Sequence, residues 1–395
     1  MNRYASIALT AAAFFLIVMA VLNDSPPLFY MGTAMVATLL AARLQAYLAV
    51  RYLRFERFAP PAVAVGEPVV IEMIVWSERR IKRPLVTVRD GLPDSLRRQE
   101  LAPPLPVAPS YEQPIRTRYE FRPLKRGRYR WSLVKVEASD ALGLVYLSHK
   151  HRTEQAELTV YPAPLPVEVE LNPTAGSGIA EVEAGRVRGS GLEPHAVREY
   201  VSGDPLRYIH WKSSARRDTL MVKEFDTGTS VSLAIVLDNR KSTDVMDLEG
   251  SSLETLCGHA LYLAESYLER GAEVTFPQYE KVARGEHSEL RVRQVREVLV
   301  DVQDDQIESL SAQLLRVAAP LAESTTVVIL LAVADPDLPA ALTQLAHLQR
   351  VVLTLDAAEY DDRRAPSSAS HPAYLQELES AGARVVPVAR RRRSS

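Results

Sequence analysis

The residues best equipped for chemistry lie in one window, Arg198 to Phe225, which holds Asp204, Arg207, His210, Trp211, Lys212, Ser213, Ser214, Arg216, Lys223 and Glu224. Asp204, His210 and either serine are the residue types of a Ser-His-Asp nucleophile system. His210 with Lys212 has the charge to steady a phosphoryl group in transfer. Arg207, Lys212 and Arg216 are cations suited to carboxylate or phosphate. Two features weigh against catalysis. Groups this close in sequence seldom converge on one reacting atom, and neither serine stands in a Gly-x-Ser-x-Gly elbow. A structural or docking network is the favoured reading, since ion-pair clusters also occur away from active sites. Tyr200, Tyr208, Ile209, Trp211 and Phe225 give the window enough apolar content to fold, and Gly203-Asp204-Pro205 reads as a turn that doubles it back.

The order Arg-Glu-Tyr-x-x-Gly-Asp-x-x-Arg-x-Ile-His-Trp-Lys-x-Ser-Ala-Arg from Arg198 to Arg216, followed by Val222-Lys223-Glu224-Phe225, resembles the signature of the bacterial family called domain of unknown function 58. Gly66-Glu67-Pro68, Arg126-Gly127-Arg128-Tyr129 and Asp140 to Leu144 resemble that family's sandwich region. The family has no assigned reaction. The resemblance implies a membrane protein with an Ig-like sandwich and a von Willebrand factor A-like domain. It also implies a setting shared with MoxR-type AAA+ ATPases and other membrane proteins. On that reading Arg198 to Phe225 is a polar clasp between domains or a docking surface, and the chain is a scaffold rather than an enzyme. The alternative is a hydrolase or phosphoryl-transfer enzyme centred on Asp204, His210 and Lys212.

A second candidate follows the apolar run Val231 to Leu237. Asp238-Asn239-Arg240-Lys241-Ser242 resembles the Asp-x-Ser-x-Ser metal-adhesion motif, whose hard oxygens suit Mg²⁺, but Arg240 stands where the middle serine belongs. A guanidinium there repels a divalent ion and removes a ligand. Asp238 and Ser242 are thus expected to form a degenerate site; no cofactor is expected, and Mg²⁺ is the one candidate. Asp335 and Asp337 are potential further carboxylates, read first as loop acids. His149 and His151 lack a third metal ligand and read as surface histidines. Cys257 falls on the apolar stripe of a helix, the setting of a buried structural thiol. Gly185 to Gly191, beside Arg186 and Arg188, reads as a mobile loop with a weak resemblance to an anion nest.

Several elements must position these groups. Residues 4 to 22 carry no charge, and residues 28 to 50 are interrupted only by Arg43 and Gln45, so residues 1–54 read as a transmembrane hairpin in a lipid bilayer. Arg43 is expected at the membrane edge. Arg3, Arg43, Arg51, Arg54 and Arg57 flank the hairpin against Asp24 in its loop. That asymmetry predicts a bacterial inner-membrane protein whose soluble parts face the cytoplasm. Residues 55–165 show period-two runs bounded by turn residues, a β-sandwich pattern. Residues 166–227 read as linker plus signature, and residues 391–395 as a basic tail. In residues 228–390 continuously apolar strands alternate with helices near 253–268, 305–322, 338–347 and 372–381, the pattern of a doubly wound parallel sheet. A net charge of −2 gives no field for nucleic acid, and the single cysteine excludes an intramolecular disulfide.

Overall fold

The structure is a computed structural model that describes residues 3–80, 83, 86–94, 96, 105–107, 111, 113–167, 169, 182–183, 186–200, 209–217, 219–230, 232–241, 251–279, 281–283, 288–359 and 366–388. The chain divides into two compact units, Met1–Val160 and Tyr161–Ser395.

The first unit begins with helix α1 (Arg3–Leu22), a short turn, and helix α2 (Pro26–Val50). Pro27 at the start of α2 sits where its missing N–H costs nothing. Among the described residues α2 is long and apolar enough to cross a membrane, and Ser6–Leu22 is a shorter apolar helix. Small residues lie between the pair: Ala13 and Ala20 are buried, and a Cβ on Gly32 would stand 2.6 Å from Ile17 Cγ1. Large apolar side chains point outward instead, with Phe14, Phe15, Val21, Leu22, Tyr30 and Leu40 all more than 60% exposed.

A sandwich follows: β1 (Leu53–Phe58), β2 (Ala62–Ala64), β3 (Val69–Ser77), β4 (Val86–Asp90), β5 (Leu105–Val107), β6 (Ile115–Phe121), β7 (Gly127–Ser139) and β8 (Tyr146–Tyr161). One sheet runs β1-β3-β6 and the other β2-β8-β7-β4-β5. Strand β3 alternates buried Val69, Ile71, Met73 and Val75 with outward residues, as a half-buried strand must. An ionic group sits between the sheets. Asp90, its side chain fully buried, accepts from Arg57 Nη2 (2.6 Å) and Nε (2.9 Å), Tyr119 Oη (2.6 Å), Trp131 Nε1 (3.2 Å) and Gly91 N (2.8 Å). Burial beside this carboxylate pushes the Tyr119 hydroxyl's pKa upward.

Two expectations are corrected here, in a sandwich whose longest strand, β8, runs unbroken for 16 residues with Lys150 and Arg152 inside it. The helix-to-sandwich boundary is not a joint at residue 54. Ala49 and Val50 belong to the sandwich core, and Ala42 and Ala46 pack on Val145. His151 is not a surface histidine, because its Nε2 lies 2.8 Å from Val50 O at the α2 terminus. Arg83 binds the same terminus, donating to Leu48 O (2.5 Å), Ala49 O (2.9 Å) and Arg51 O. A helix C-terminus leaves its last carbonyls unpaired and carries partial negative charge, which a guanidinium satisfies on both counts.

The second unit opens with a ribbon of β9 (Val182–Glu183), β10 (Arg186–Glu199) and, after α3 (Trp211–Arg217), β11 (Met221–Ser230), joined in the order β11-β10-β9. The stretch expected to be a mobile glycine loop is strand from Arg186 onward, its backbone bonded across the register shifts that glycines permit. Then come β12 (Ser232–Leu237), α4 (Ser252–Glu269), β13 (Glu273–Phe276), β14 (Lys281–Ala283), α5 (Ser288–Asp301), α6 (Leu310–Ala318), β15 (Thr325–Leu331), α7 (Leu338–Gln344), β16 (Gln349–Leu355), α8 (Pro372–Ser380) and β17 (Arg384–Val388). The sheet order is β14-β13-β12-β15-β16-β17, parallel except for the edge strand β14.

Alternate side chains of the buried strands face two cores. Leu233, Ile235 and Leu237 meet α4 and α5, while Ala234 and Val236 meet α6, α7 and α8. Cys257 is buried within the first of these, as its stripe position implied. The single helix expected over 305–322 is corrected to α6 alone, with the unforeseen α5 before it. Ser309 caps α6 by accepting from Ala312 N.

Candidate functional site

Among the described residues of the second unit, polar side chains gather around the signature helix α3 and at the carboxyl edge of the sheet where the strand order reverses. The signature residues around α3 are held from within. Ile209 bridges Val222 in the antiparallel sense, and His210 N donates to Met221 O (2.7 Å). His210 starts the helix. Its Nδ1 accepts from Ser213 N (3.2 Å) and lies 2.7 Å from Ser213 Oγ, the bond pattern of a cap satisfying an unpaired N-terminal donor. Ser214, 8% exposed, accepts from Met221 N (2.8 Å) and donates to His210 O (3.1 Å). The inner side of α3 is therefore pinned to β11.

The outer side carries Trp211, 68% exposed, with exposed Lys212, Arg216 and Arg217. Lys212 and Arg216 are four apart, so they share a helix face. Arg198 lies in β10 opposite Val222, and Lys223 and Glu224 lie in β11 opposite Val197 and Ala196. Asp204, Arg207 and Ser242 fall outside the described residues. The structure thus brings His210 together with Ser213 and Ser214 in a helix-start arrangement, and places Trp211, Lys212 and Arg216 on its exposed flank.

The second place is the carboxyl edge of β12 and β15. Sequential strands here lead to opposite sides of the sheet, and such a switch point is where open α/β sheets bind ligands. Asp238, 2% exposed, directly follows β12. Arg240 folds back onto it: Nε donates to Oδ1 (2.8 Å), Nη2 to Oδ2 (2.8 Å), and the Arg240 backbone N to Oδ1 (3.3 Å). Nη2 also donates to Val333 O (2.8 Å), and Nη1 reaches 4.0 Å from Asp335 Oδ2. The pairing with Asp238 raises the guanidinium's pKa.

Asp335, 1% exposed, lies in the loop between β15 and α7 as expected, but it is buried rather than solvated. Its Oδ2 accepts from Ser311 N (2.8 Å) and its Oδ1 from Asp337 N (3.2 Å). Ser311 lies in the first turn of α6, where the helix dipole favours negative charge. Tyr374 Oη bridges the Asp335 backbone, accepting from its N (3.1 Å) and donating to its O (2.9 Å). Burial, with Asp335 nearby, pushes that phenol's pKa up to about 12. The two buried carboxylates are thus answered separately, Asp238 by a tethered cation and Asp335 by backbone N–H groups. The Arg240 contribution was visible in sequence only as an obstacle to metal. Ser311 and Tyr374 carried no local signal, because they arrive 73 and 136 residues after Asp238.

Residues 196–368 match the family described as "Protein of unknown function DUF58". A curated relative, the "Uncharacterized protein YeaD" of Bacillus subtilis, is 29% identical over 184 residues, covering 44% of this chain and 44% of that protein. The chain therefore spans less than half the length of that relative. Similar solved structures include the CARDB domain of a Pyrococcus furiosus protein in complex with di-metal ions. It is 18% identical with a TM-score of 0.21, covering 27% of this chain and 91% of that one. Another is the PKD domain of an M14-like peptidase from a Thermoplasmatales archaeon, 13% identical with a TM-score of 0.16, covering 25% of this chain and 92% of the other. Scores this low carry no weight for the fold.

Proposed function

We propose, from the premise that residues 196–368 carry the DUF58 family region, that this chain is a membrane-anchored, cytoplasm-facing interaction protein that grips its partner through α3. The carrying observation is Trp211, 68% exposed beside Lys212, Arg216 and Arg217 on a helix whose inner residue Ser214 is pinned to β11. Tryptophan and arginine dominate binding hot spots, and a helix already held in place loses little entropy on docking. The surface suits an acidic partner with an apolar pocket, and the family resemblance supplies a MoxR-type AAA+ ATPase as the candidate. The His210–Ser213 contact starts a helix, which supports a structural part for that pair over a nucleophile. A von Willebrand factor A-like reading of the α/β layers is supported by the parallel order with an antiparallel edge strand and an aspartate after the first strand. In this reading Arg240 takes the place a metal would hold.

Two spans are supported by the packing of α1 and α2, small residues within and large apolar ones outside, as lipid-facing helices require. The arginine excess after α2 supports the cytoplasmic side for both units. The test is capture from detergent-solubilised membranes. Wild type is expected to retain a MoxR-type ATPase, and Trp211→Ala with Lys212→Glu to lose it while backbone hydrogen exchange in β11 stays unchanged. Undiminished capture by the double variant, or no ATPase on the wild type, refutes the reading.

A further inference from the structure

The turn between β7 and β8 has a construction its position explains. Asp140, 3% exposed, holds it closed: Oδ2 accepts from Leu142 N (2.9 Å), Oδ1 from Val145 N (2.6 Å), and its backbone O from Gly143 N (3.1 Å). Gly143 adopts φ +68°, a region that costs glycine nothing. The turn is tied to α2 as well, since Ala141 N donates to Gln45 Oε1 (3.1 Å) and Val145 packs on Ala42 and Ala46. At the tip of this fixed loop Leu142 is 67% exposed, and Tyr146 just beyond it is 53% exposed. A single exposed leucine is ordinary. One held out by a buried carboxylate, against an apolar helix, is less so.

The helical hairpin sets the level of the turn. The close approach of Gly32 to Ile17 fixes the antiparallel register, and stepping eleven residues back along α1 and forward along α2 puts Ser6 level with Arg43. From there to the hairpin loop each helix runs about 26 Å at ~1.5 Å per residue, close to the ~30 Å apolar thickness of a bilayer. Arg43 then stands at headgroup level, and Gln45, which holds the turn, lies about 3 Å farther along the axis. Leu40, Leu44 and Tyr47 on the open side of α2 are exposed at 62%, 59% and 45%, so the apolar surface of the helix continues past the level of the turn.

We propose that the Asp140–Tyr146 turn is a membrane-dipping element that lays Leu142 and Tyr146 into the headgroup–acyl boundary beside α2, giving the sandwich a second point of contact with the bilayer. The inference rests on the reading of α2 as a span. Leucine supplies the apolar contact, and tyrosine suits the interface because its ring is apolar and its hydroxyl wet.

The experiment uses the full chain with Cys257→Ala, carrying Leu142→Cys or, as a control, Glu157→Cys. Glu157 is eleven residues along β8 from Tyr146, roughly 36 Å at ~3.3 Å per residue, with its side chain 61% exposed. Each cysteine is labelled with an environment-sensitive fluorophore, and the protein is reconstituted in phosphatidylcholine–phosphatidylglycerol vesicles with and without headgroup-labelled nitroxide lipid. Label at 142 is expected to shift to the blue and be quenched at least several-fold more than label at 157. Water-like, unquenched emission at 142, with the chain resisting alkaline carbonate extraction, overturns the dipping turn and leaves the span intact. Release of the chain by carbonate overturns both.

Discussion

Replacing Arg240 by methionine removes the cation from the switch point while keeping an unbranched side chain of comparable reach. Asp238, with a side chain 1% exposed, then loses both side-chain donors at 2.8 Å and, among the described residues, keeps the bond from the Arg240 backbone N. Stranding one member of a buried pair costs about 3–5 kcal/mol. The 15% exposure of the Arg240 side chain leaves little solvent to soften the loss. At about 1.4 kcal/mol per tenfold, the opening of β12 from β15 should become roughly a hundredfold to a few thousandfold more frequent. Hydrogen exchange read by mass spectrometry on β12 and β15 peptides of the detergent-solubilised chain measures this directly, with β3 and β7 peptides as reference. Adding Asp238→Asn should restore most of the protection, because the amide carries no stranded charge. Protection in Arg240→Met within threefold of wild type, or a double variant less protected than the single, would refute the electrostatic account.

Two further outcomes follow from buried polar groups. Asp90→Asn should destabilise the sandwich by about 3–5 kcal/mol, since one amide oxygen cannot serve Arg57, Tyr119 and Trp131 and its NH₂ faces donors; the urea midpoint followed by Trp131 fluorescence reads it. His259 is 2% exposed, and burial lowers its pKa from 6.5 to about 4, against the opposing bond to Leu165 O. The fold holds it neutral, so its contribution is full above about pH 6.5 and declines toward pH 4, at most about 3 kcal/mol. Stability of the second unit should fall over that window, and His259→Gln should flatten the fall.

What could be read from the sequence was what neighbouring residues encode. The apolar strands β12, β15, β16 and β17 announced themselves as short uninterrupted runs, and α4 by its spacing of three and four. Helix α5 stayed hidden because Leu290-Arg-Val-Arg293 alternates like a strand before Val295, Val298 and Leu299 take up the helical spacing. The full length of β8 left little trace because the faces of its first half are both partly wet, so no apolar side marked it. At the sites, His210, Trp211 and Lys212 were conspicuous together, yet which of them faced inward depends on β11. The Asp90 group could not be foreseen, since Arg57, Tyr119 and Trp131 are separated from it by 33, 29 and 41 residues.

The join between α2 and the sandwich leaves no slack. Tyr52 sits at φ +56°, an uncommon setting for a non-glycine residue, secured by Glu78 N on its carbonyl and by the Arg79 guanidinium 3.9 Å from its ring centre. With Arg83 clasping the helix end, the two parts must turn as one lever. Strand β8, 16 residues and roughly 50 Å long, is its arm; with α2 spanning a bilayer as proposed, a tilt of about 10° on a change of thickness would carry the far end through roughly 9 Å. Lipid composition would then reach the far edge of the sandwich as displacement.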